Sequence, residues 1–130
     1  FRTGVELKDA IAKIADIRKR SANVAVSGGR KFNPGFHLAF DLDNMLLVAE
    51  STAKSAIGRE ESRGGHTRDD FPGMDMGWRQ HNHISSFDGT QVTVRKQGLP
   101  FMPKELFSLF DVEELKKYMT PDEVAKGGSN

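Results

Sequence analysis

The chain contains no cysteine, which removes disulfides, thiolate zinc sites, iron–sulfur ligation and cysteine nucleophiles together. It has no run of about 18 apolar residues long enough for a membrane-spanning helix, and no charged-then-apolar start resembling a secretory signal. An excess of one charge is missing too: 19 Lys/Arg face 18 Asp/Glu, a net charge of +1, so the balance gives no reason to expect nucleic acid as a partner. No Gly-x-Gly-x-x-Gly turn, Walker loop or alternating strand–helix pattern announces a nucleotide fold, so any redox cofactor would be held elsewhere. A Gly-x-Ser-x-Gly elbow is absent. Adjacent Asp69 and Asp70 do not establish a carboxylate pair across a cleft. An initiator methionine is also lacking: the chain opens Phe1-Arg2-Thr3-Gly4, and the expectation is a processed product or a piece of something longer.

What is present amounts to 130 residues, one domain's worth of chain with no internal repeat. Charge is unevenly spread, with 8 basic and 3 acidic side chains in residues 1–31. Such a basic first helix reads as a solvated face. Thr3 and Glu6 have the spacing of a capping box, so a helix starts there. Leu7, Ala10, Ile11, Ile14 and Ile17 then recur at intervals of three and four, giving one apolar stripe. Ser27-Gly28-Gly29 is expected to close this helix, with Val24-Ala25-Val26 as its fraying last turn.

Asn33-Pro34 announces a second helix, expected to reach Glu61. Its apolar positions run from Phe36 through Leu42, Leu46, Val48 and Ala53 to Ile57, and they cover more than one stripe. A helix of that kind is buried on at least two sides, and a single neighbour cannot cover it. A third helix is therefore wanted, and the sequence beyond does not supply one. Residues after Glu61 read as irregular structure through Gly77. Ile84–Phe87 and Gln91–Val94 around Asp88-Gly89 read as a hairpin with a type I′ turn. Short helices are expected at Pro103–Phe110 and Asp111–Met119, a further helix start at Thr120-Pro121, and a polar, glycine-rich end over Lys126–Asn130. The fold class is thus mainly α: an up-and-down helical bundle, spectrin-repeat-like and short of its first helix, followed by a β-hairpin and an irregular tail. The division expected is a bundle domain over 1–72 and a hairpin with tail over 73–130.

The densest polar stretch is Arg59-Glu60-Glu61-Ser62-Arg63-Gly64-Gly65-His66-Thr67-Arg68-Asp69-Asp70-Phe71-Pro72. Its arginine forks, carboxylates and flexible glycines suit a self-paired loop, an anion site or a docking surface. His66, His81 and His83, near Asp69, Asp70 and Asp75, invite comparison with metal ligands. His81-x-His83 would put two rings on one face of a strand, but no third ligand stands at a recognised spacing, so no metal site is assigned.

This stretch, with Asp75 and Trp78-Arg79-Gln80-His81 after it, resembles the signature R-x-E-S-R-G-A-H-x-R-x-D-F-P near the carboxyl end of succinate dehydrogenase and fumarate reductase flavoprotein subunits. Phe1-Arg2, Ile17-Arg18-Lys19-Arg20 and Leu42-Asp43-Asn44-Met45-Leu46 extend the resemblance over about residues 1–95. Gly65 replaces the usual alanine, and Met74-Asp75-Met76 replaces an arginine and a second aspartate. The resemblance implies the carboxyl-terminal helical domain of such a subunit, catalytically inert alone and scaffolding a flavin domain that interconverts succinate and fumarate. FAD and every catalytic residue would lie upstream, with Arg63 and Arg68 the residues nearest the flavin if any are. Arg59, Glu61, Ser62, Arg63, His66, Arg68 and Asp69 would dock the domain on the flavin-binding domain. Partners implied are that domain, an iron–sulfur subunit and a membrane anchor, at the cytoplasmic face of a membrane. The isolated piece is expected to cover the apolar strip Leu38, Leu42, Met45, Ala49 and Ala56 by forming a homodimer. L-aspartate oxidase and adenylylsulfate reductase carry related domains, and a free-standing interaction module with a weak histidine metal site is the alternative from another class.

Overall fold

The computed structural model describes residues 2–100 and 102–127. Phe1, Phe101 and residues 128–130, the last of which belong to the expected polar end, lie outside the described residues. The chain divides into two compact units, Phe1–Gln97 and Gly98–Asn130.

In the first unit, α1 spans Gly4–Ser21 and α2 spans Pro34–Gly58. The Thr3–Glu6 capping box forms as expected, with the Thr3 N–H donating to Glu6 Oε2 at 2.8 Å. α1 does not run on to the glycines; it stops at Ser21, whose hydroxyl turns back onto the Arg18 carbonyl at 2.8 Å and lies 3.2 Å from Asp43 Oδ1 on α2. Val24–Val26 are outside the helix, consistent with the poor helix propensity of β-branched residues.

α2 starts where Asn33-Pro34 predicts, the Asn33 side chain accepting the Phe36 N–H at 3.3 Å. The two helices run antiparallel, pinned where the last turn of α1 meets Glu50 of α2, which receives Arg18 Nη1 at 2.5 Å and Lys54 Nζ at 2.6 Å. Burial raises the Glu50 pKa, yet the bonds from Lys54 and Arg18 outweigh it and hold the carboxyl below the usual range. The antiparallel pair, with the hairpin behind it, is what this chain supplies of an up-and-down bundle.

Between the helices the backbone of Phe32 adopts φ +56°, the left-handed region, in a residue other than glycine. For a bulky side chain this strain costs of the order of 1 kcal/mol. Asn33 fixes the geometry by donating from Nδ2 to the carbonyls of Ser27 at 2.9 Å and Gly29 at 3.0 Å.

The apolar core of this unit is small: Leu7, Leu46, Ala53, Ala56 and Val92 are buried. Of the strip expected to be bare on α2, Leu38, Met45 and Ala49 are exposed and Leu42 is half-buried. Ala56 departs from that expectation and is buried, because the segment after α2 folds back over the helix end.

A 3-10 turn at Met76–Gln80 leads into β1, His81–Phe87, which pairs with β2, Val92–Gly98. Both strands are longer than the sequence pattern suggests. The turn also differs: Asp88 and Gln91 close it around Gly89-Thr90, with Gly89 at φ +96° and Thr90 not at positive φ. A type I′ turn needs two positive φ values, so the glycine-first arrangement is that of type II′. The Asp88 carboxylate causes the one-residue shift by accepting the N–H groups of Thr90 and Gln91 at 2.8 and 2.9 Å. Lys54 Nζ donates to the Val92 carbonyl at 2.7 Å and ties the hairpin to α2.

The second unit holds three short helices, α3 at Lys104–Phe107, α4 at Val112–Tyr118 and α5 at Pro121–Lys126. Leu115 is buried, and Thr120 caps α5 through a second capping box with Glu123.

Candidate functional site

α2 ends at Gly58 rather than Glu61 because the next residues are needed elsewhere. Arg59 leaves the helix with extended backbone angles, and its Nε and Nη2 donate to Glu61 Oε1 at 2.8 and 2.5 Å. Arg63 reaches the same carboxylate from the other side, through Nε at 3.1 Å and Nη2 at 3.1 Å, and the Asp75 N–H adds a third donor at 2.9 Å. Glu61 is 0% exposed. Burial pushes its carboxyl upward, but the donors from Arg63, Asp75 and Arg59 prevail and bring the pKa down to about 2. A carboxylate taken wholly from water persists only when its lone pairs are filled in this way.

The rest of the segment makes a compact coil. The Arg63 and His66 backbones exchange N–H···O bonds of 2.8 and 3.0 Å across a turn in which Gly64 takes φ +58°. His66 Nε2 donates to the Arg59 carbonyl at 3.0 Å. The Ser62 hydroxyl donates to the Phe71 carbonyl at 2.7 Å and accepts the Arg68 N–H at 2.8 Å.

Arg68 is 2% exposed. Its Nη1 donates to the Ala56 and Ile57 carbonyls at 3.0 and 3.2 Å, satisfying the last turn of α2 and meeting its negative dipole end. Nε and Nη2 grip Asp70 in a bidentate pair at 2.7 and 2.8 Å. Asp70 Oδ2 in turn accepts the Gly4 N–H at 2.8 Å, and the Asp69 N–H donates to the Arg2 carbonyl at 2.9 Å. One ion pair thereby joins the carboxyl end of α2 to the amino end of α1. The Arg68 guanidinium is the foremost influence holding the Asp70 carboxyl well below the carboxylate range.

The seven residues singled out for docking therefore converge on one clasp, but they face differently. Glu61 and Arg68 spend their charges inside the chain. Arg59, Ser62, Arg63 and His66 are half-buried, and Asp69 is exposed. All three Arg68 side-chain nitrogens donate within the chain, and Arg63 uses Nε and Nη2 on Glu61 and the Asp75 carbonyl. Among the described residues the element order contains no βαβ unit.

The histidines are likewise occupied: His66 on the Arg59 carbonyl, His81 Nδ1 on the Gly77 carbonyl at 3.0 Å, and His83 Nδ1 on the Ser55 carbonyl at 3.1 Å. Among the described residues no group of three or more His, Cys, Asp or Glu could hold a metal ion. His83 stands edge-on to Trp78 with ring centroids 5.2 Å apart, and Lys96 Nζ lies 3.7 Å from the Trp78 ring centroid. Burial is the first cause lowering the His83 pKa, and Arg59, Lys96 and His66 push the same way.

Sequence reasoning did not single out the Asp70 bridge, the Asp75 N–H or the packing around Trp78. A trace of the first was present. Gly4 is a costly residue in a first helical turn, and a Cβ there would stand 3.1 Å from Arg68 Nη2 and 3.2 Å from Asp70 Oδ2.

Comparison with known proteins adds the following. A family model described as the carboxyl-terminal part of the fumarate reductase flavoprotein matches residues 1–117. The chain is 34% identical over 113 residues to the succinate dehydrogenase flavoprotein subunit of Rickettsia conorii, covering 85% of this chain and 18% of that protein. It is 42% identical over 73 residues to an uncharacterized FAD-dependent oxidoreductase of Methanocaldococcus jannaschii, covering 56% of this chain and 13% of that one. Among solved structures it superposes on Mycobacterium smegmatis Sdh1 in complex with UQ1 with a TM-score of 0.84 and 43% identity, covering 95% of this chain and 22% of that one. A mutant of the E. coli quinol fumarate reductase chain FrdA superposes with a TM-score of 0.68 at 25% identity, over 75% of this chain and 17% of that one. The chain thus spans less than a quarter of the length of each of these relatives.

Proposed function

The chain belongs to the fumarate reductase flavoprotein carboxyl-terminal family, and from that premise we propose that it acts as a scaffold for the flavin-binding domain of a succinate dehydrogenase or fumarate reductase subunit. The observation that carries this reading is the clasp: the Glu61 and Arg68 pairs lock two helix ends, so the surface around Asp69, Arg63 and His66 is presented rigidly. Those three groups, with Arg59 and Ser62 behind them, dock on the flavin domain by charge-assisted hydrogen bonds. Glu61 and Arg68 act there by holding the others in place.

In the parent, FAD bound by the upstream domain supplies the hydride chemistry that interconverts succinate and fumarate. This chain contributes order around that site and no catalytic group. An iron–sulfur subunit and a membrane anchor complete the assembly at the cytoplasmic face of a membrane. The exposed side chains of Leu38, Met45 and Val48 on α2 suit a further bundle helix from the parent. In the isolated chain a second copy covers them, giving a homodimer.

Co-expression of the flavin-binding domain with and without this chain tests the reading, with flavin absorbance and thermal release of flavin fluorescence as readouts. Flavin should be retained with the chain and lost without it, while the chain alone neither binds FAD nor oxidises succinate with an artificial acceptor. Equal retention in both preparations, or turnover by the chain alone, would overturn the assignment.

A further inference from the structure

The hairpin turn holds a chemical pairing that occurs nowhere else in the chain. Where glycine follows an aspartate or asparagine, its backbone nitrogen attacks the preceding side-chain carbonyl carbon most readily, because no Cβ stands in the way. Of all the Asp and Asn residues in this sequence, Asp88 is the one that glycine follows. Gly89 is also uncrowded: among the described residues, a Cβ built there would meet nothing within 4 Å beyond its chain neighbours.

The native turn opposes the reaction. Asp88 Oδ1 accepts the N–H groups of Thr90 at 2.8 Å and Gln91 at 2.9 Å, and these donors, Gln91 first, hold the carboxyl below its usual range. An ionised carboxylate is a poor electrophile. The attack needs the protonated group, which can lose an oxygen as water, and protonating Asp88 means surrendering two charge-assisted bonds. Those bonds also keep Gln91 opposite Asp88, whose N–H donates to the Gln91 carbonyl at 3.4 Å. The side chain that invites the reaction is thus the one that closes the turn.

We propose that Asp88–Gly89 is a covalent isomerisation site guarded by the hydrogen bonds that Asp88 itself accepts. When the turn opens, the Gly89 nitrogen bonds to Asp88 Cγ and gives up its proton, and one carboxyl oxygen leaves as water, forming a five-membered succinimide. Water then adds to either ring carbonyl. Breaking the new bond from nitrogen to Cγ restores aspartate; breaking the original peptide bond instead leaves the chain running through the side chain as isoaspartate. The net change is a rearrangement without gain or loss of atoms or electrons, so no oxidant, reductant, enzyme or partner surface is required. The isoaspartyl link adds one methylene to the backbone at the turn that sets the register of β1 and β2. Val92, held by Lys54 Nζ at 2.7 Å, and Lys96, whose Nζ lies 3.7 Å from the Trp78 ring centroid, stand on the strand that must then shift. The site depends on neither the clasp nor the scaffold reading.

The test incubates the whole chain, folded and in guanidinium, beside a peptide of residues 84–94 at neutral pH and physiological temperature. Tryptic mapping with electron-transfer fragmentation distinguishes the two isomers of equal mass. Isoaspartate should accumulate at Asp88 in the peptide and the unfolded chain, and at least ~10-fold more slowly in the folded chain, since only the open turn reacts. Asp88→Glu, which would need a six-membered ring, should suppress the product in all three samples. Thr90→Pro deletes one of the two donors to Asp88, and the ratio between its own peptide and its folded chain should narrow by about 3-fold. Circular dichroism establishes that this variant is folded; if it is not, the comparison of native chain and peptide decides alone. Equal rates in folded chain and peptide, or an unchanged ratio in folded Thr90→Pro, would overturn the guard. Absence of isoaspartate from the peptide, or faster isomerisation at another aspartate of the unfolded chain, would overturn the site.

Discussion

Replacing Glu61 with glutamine removes one negative charge from a fully buried position while keeping its volume. The substitution leaves Arg59 and Arg63 facing one neutral group, and the amide can accept through only one of its two ends. Breaking a buried ion pair by removing one partner costs about 3–5 kcal/mol. The titration route gives a similar figure: lowering the carboxyl from 4.5 to about 2 corresponds to ~3 kcal/mol at about 1.4 kcal/mol per unit. Because both guanidinium groups are partly exposed, at 25% and 30%, screening trims the expected loss to about 2–3 kcal/mol. Urea unfolding followed by circular dichroism measures it, and fluorescence of the single tryptophan, Trp78 beside Arg59, reports locally. For a unit of this size the melting temperature should fall by about 10 °C.

The same number has a pH signature. A carboxyl whose folded pKa is depressed contributes stability above its unfolded pKa and loses it as pH falls through the folded value. The native chain should therefore lose the Glu61 contribution between 4.5 and about 2, whereas the Glu61→Gln variant has already lost it. The stability gap between them should close over that range. A gap under about 1 kcal/mol at neutral pH, or one that stays constant as pH falls, would refute the account of the clasp.

Asp70→Asn should release the first turn of α1, and hydrogen exchange at Gly4 should quicken by about 10-fold with little change at mid-helix. Gly58→Ala puts a Cβ 3.2 Å from His83 Cε1; the ring must shift, and altered Trp78 fluorescence together with a loss of about 1 kcal/mol in urea should report it. Phe32→Asn should stabilise the chain by about 0.5 kcal/mol in thermal melts, because asparagine tolerates positive φ.

Capping signals were the most legible part of the sequence. Thr3 with Glu6, Asn33 with Pro34, and Thr120 with Pro121 each mark a helix start that the structure places there, because a cap satisfies backbone donors within one turn. Helix ends were less legible. α1 ends at Ser21, whose hydroxyl turns back onto the Arg18 carbonyl beside Asp43 of α2, and Glu61 lies beyond α2 to meet two arginines; neither end is marked by a local stop signal. The site segment was visible as a whole from its resemblance to a flavoprotein signature. Its internal division was not. Nothing in Arg68-Asp69-Asp70 says which aspartate turns inward, because that depends on where the Gly4 N–H arrives.

The Gly4–Asp70 bond spans 66 residues, about twice the 32 between Arg18 and Glu50. Closing the longer loop carries the larger entropic cost, and it becomes favourable once α1 and α2 already lie side by side. The helical hairpin is then the early-forming element and the clasp the late one. Interactions made late contribute little to the folding transition state and act mainly on the rate of unfolding. A segment with this placement serves as a latch: it does little to bring the helices together and much to determine how long they remain so, which sets the interval before the surface it supports comes apart.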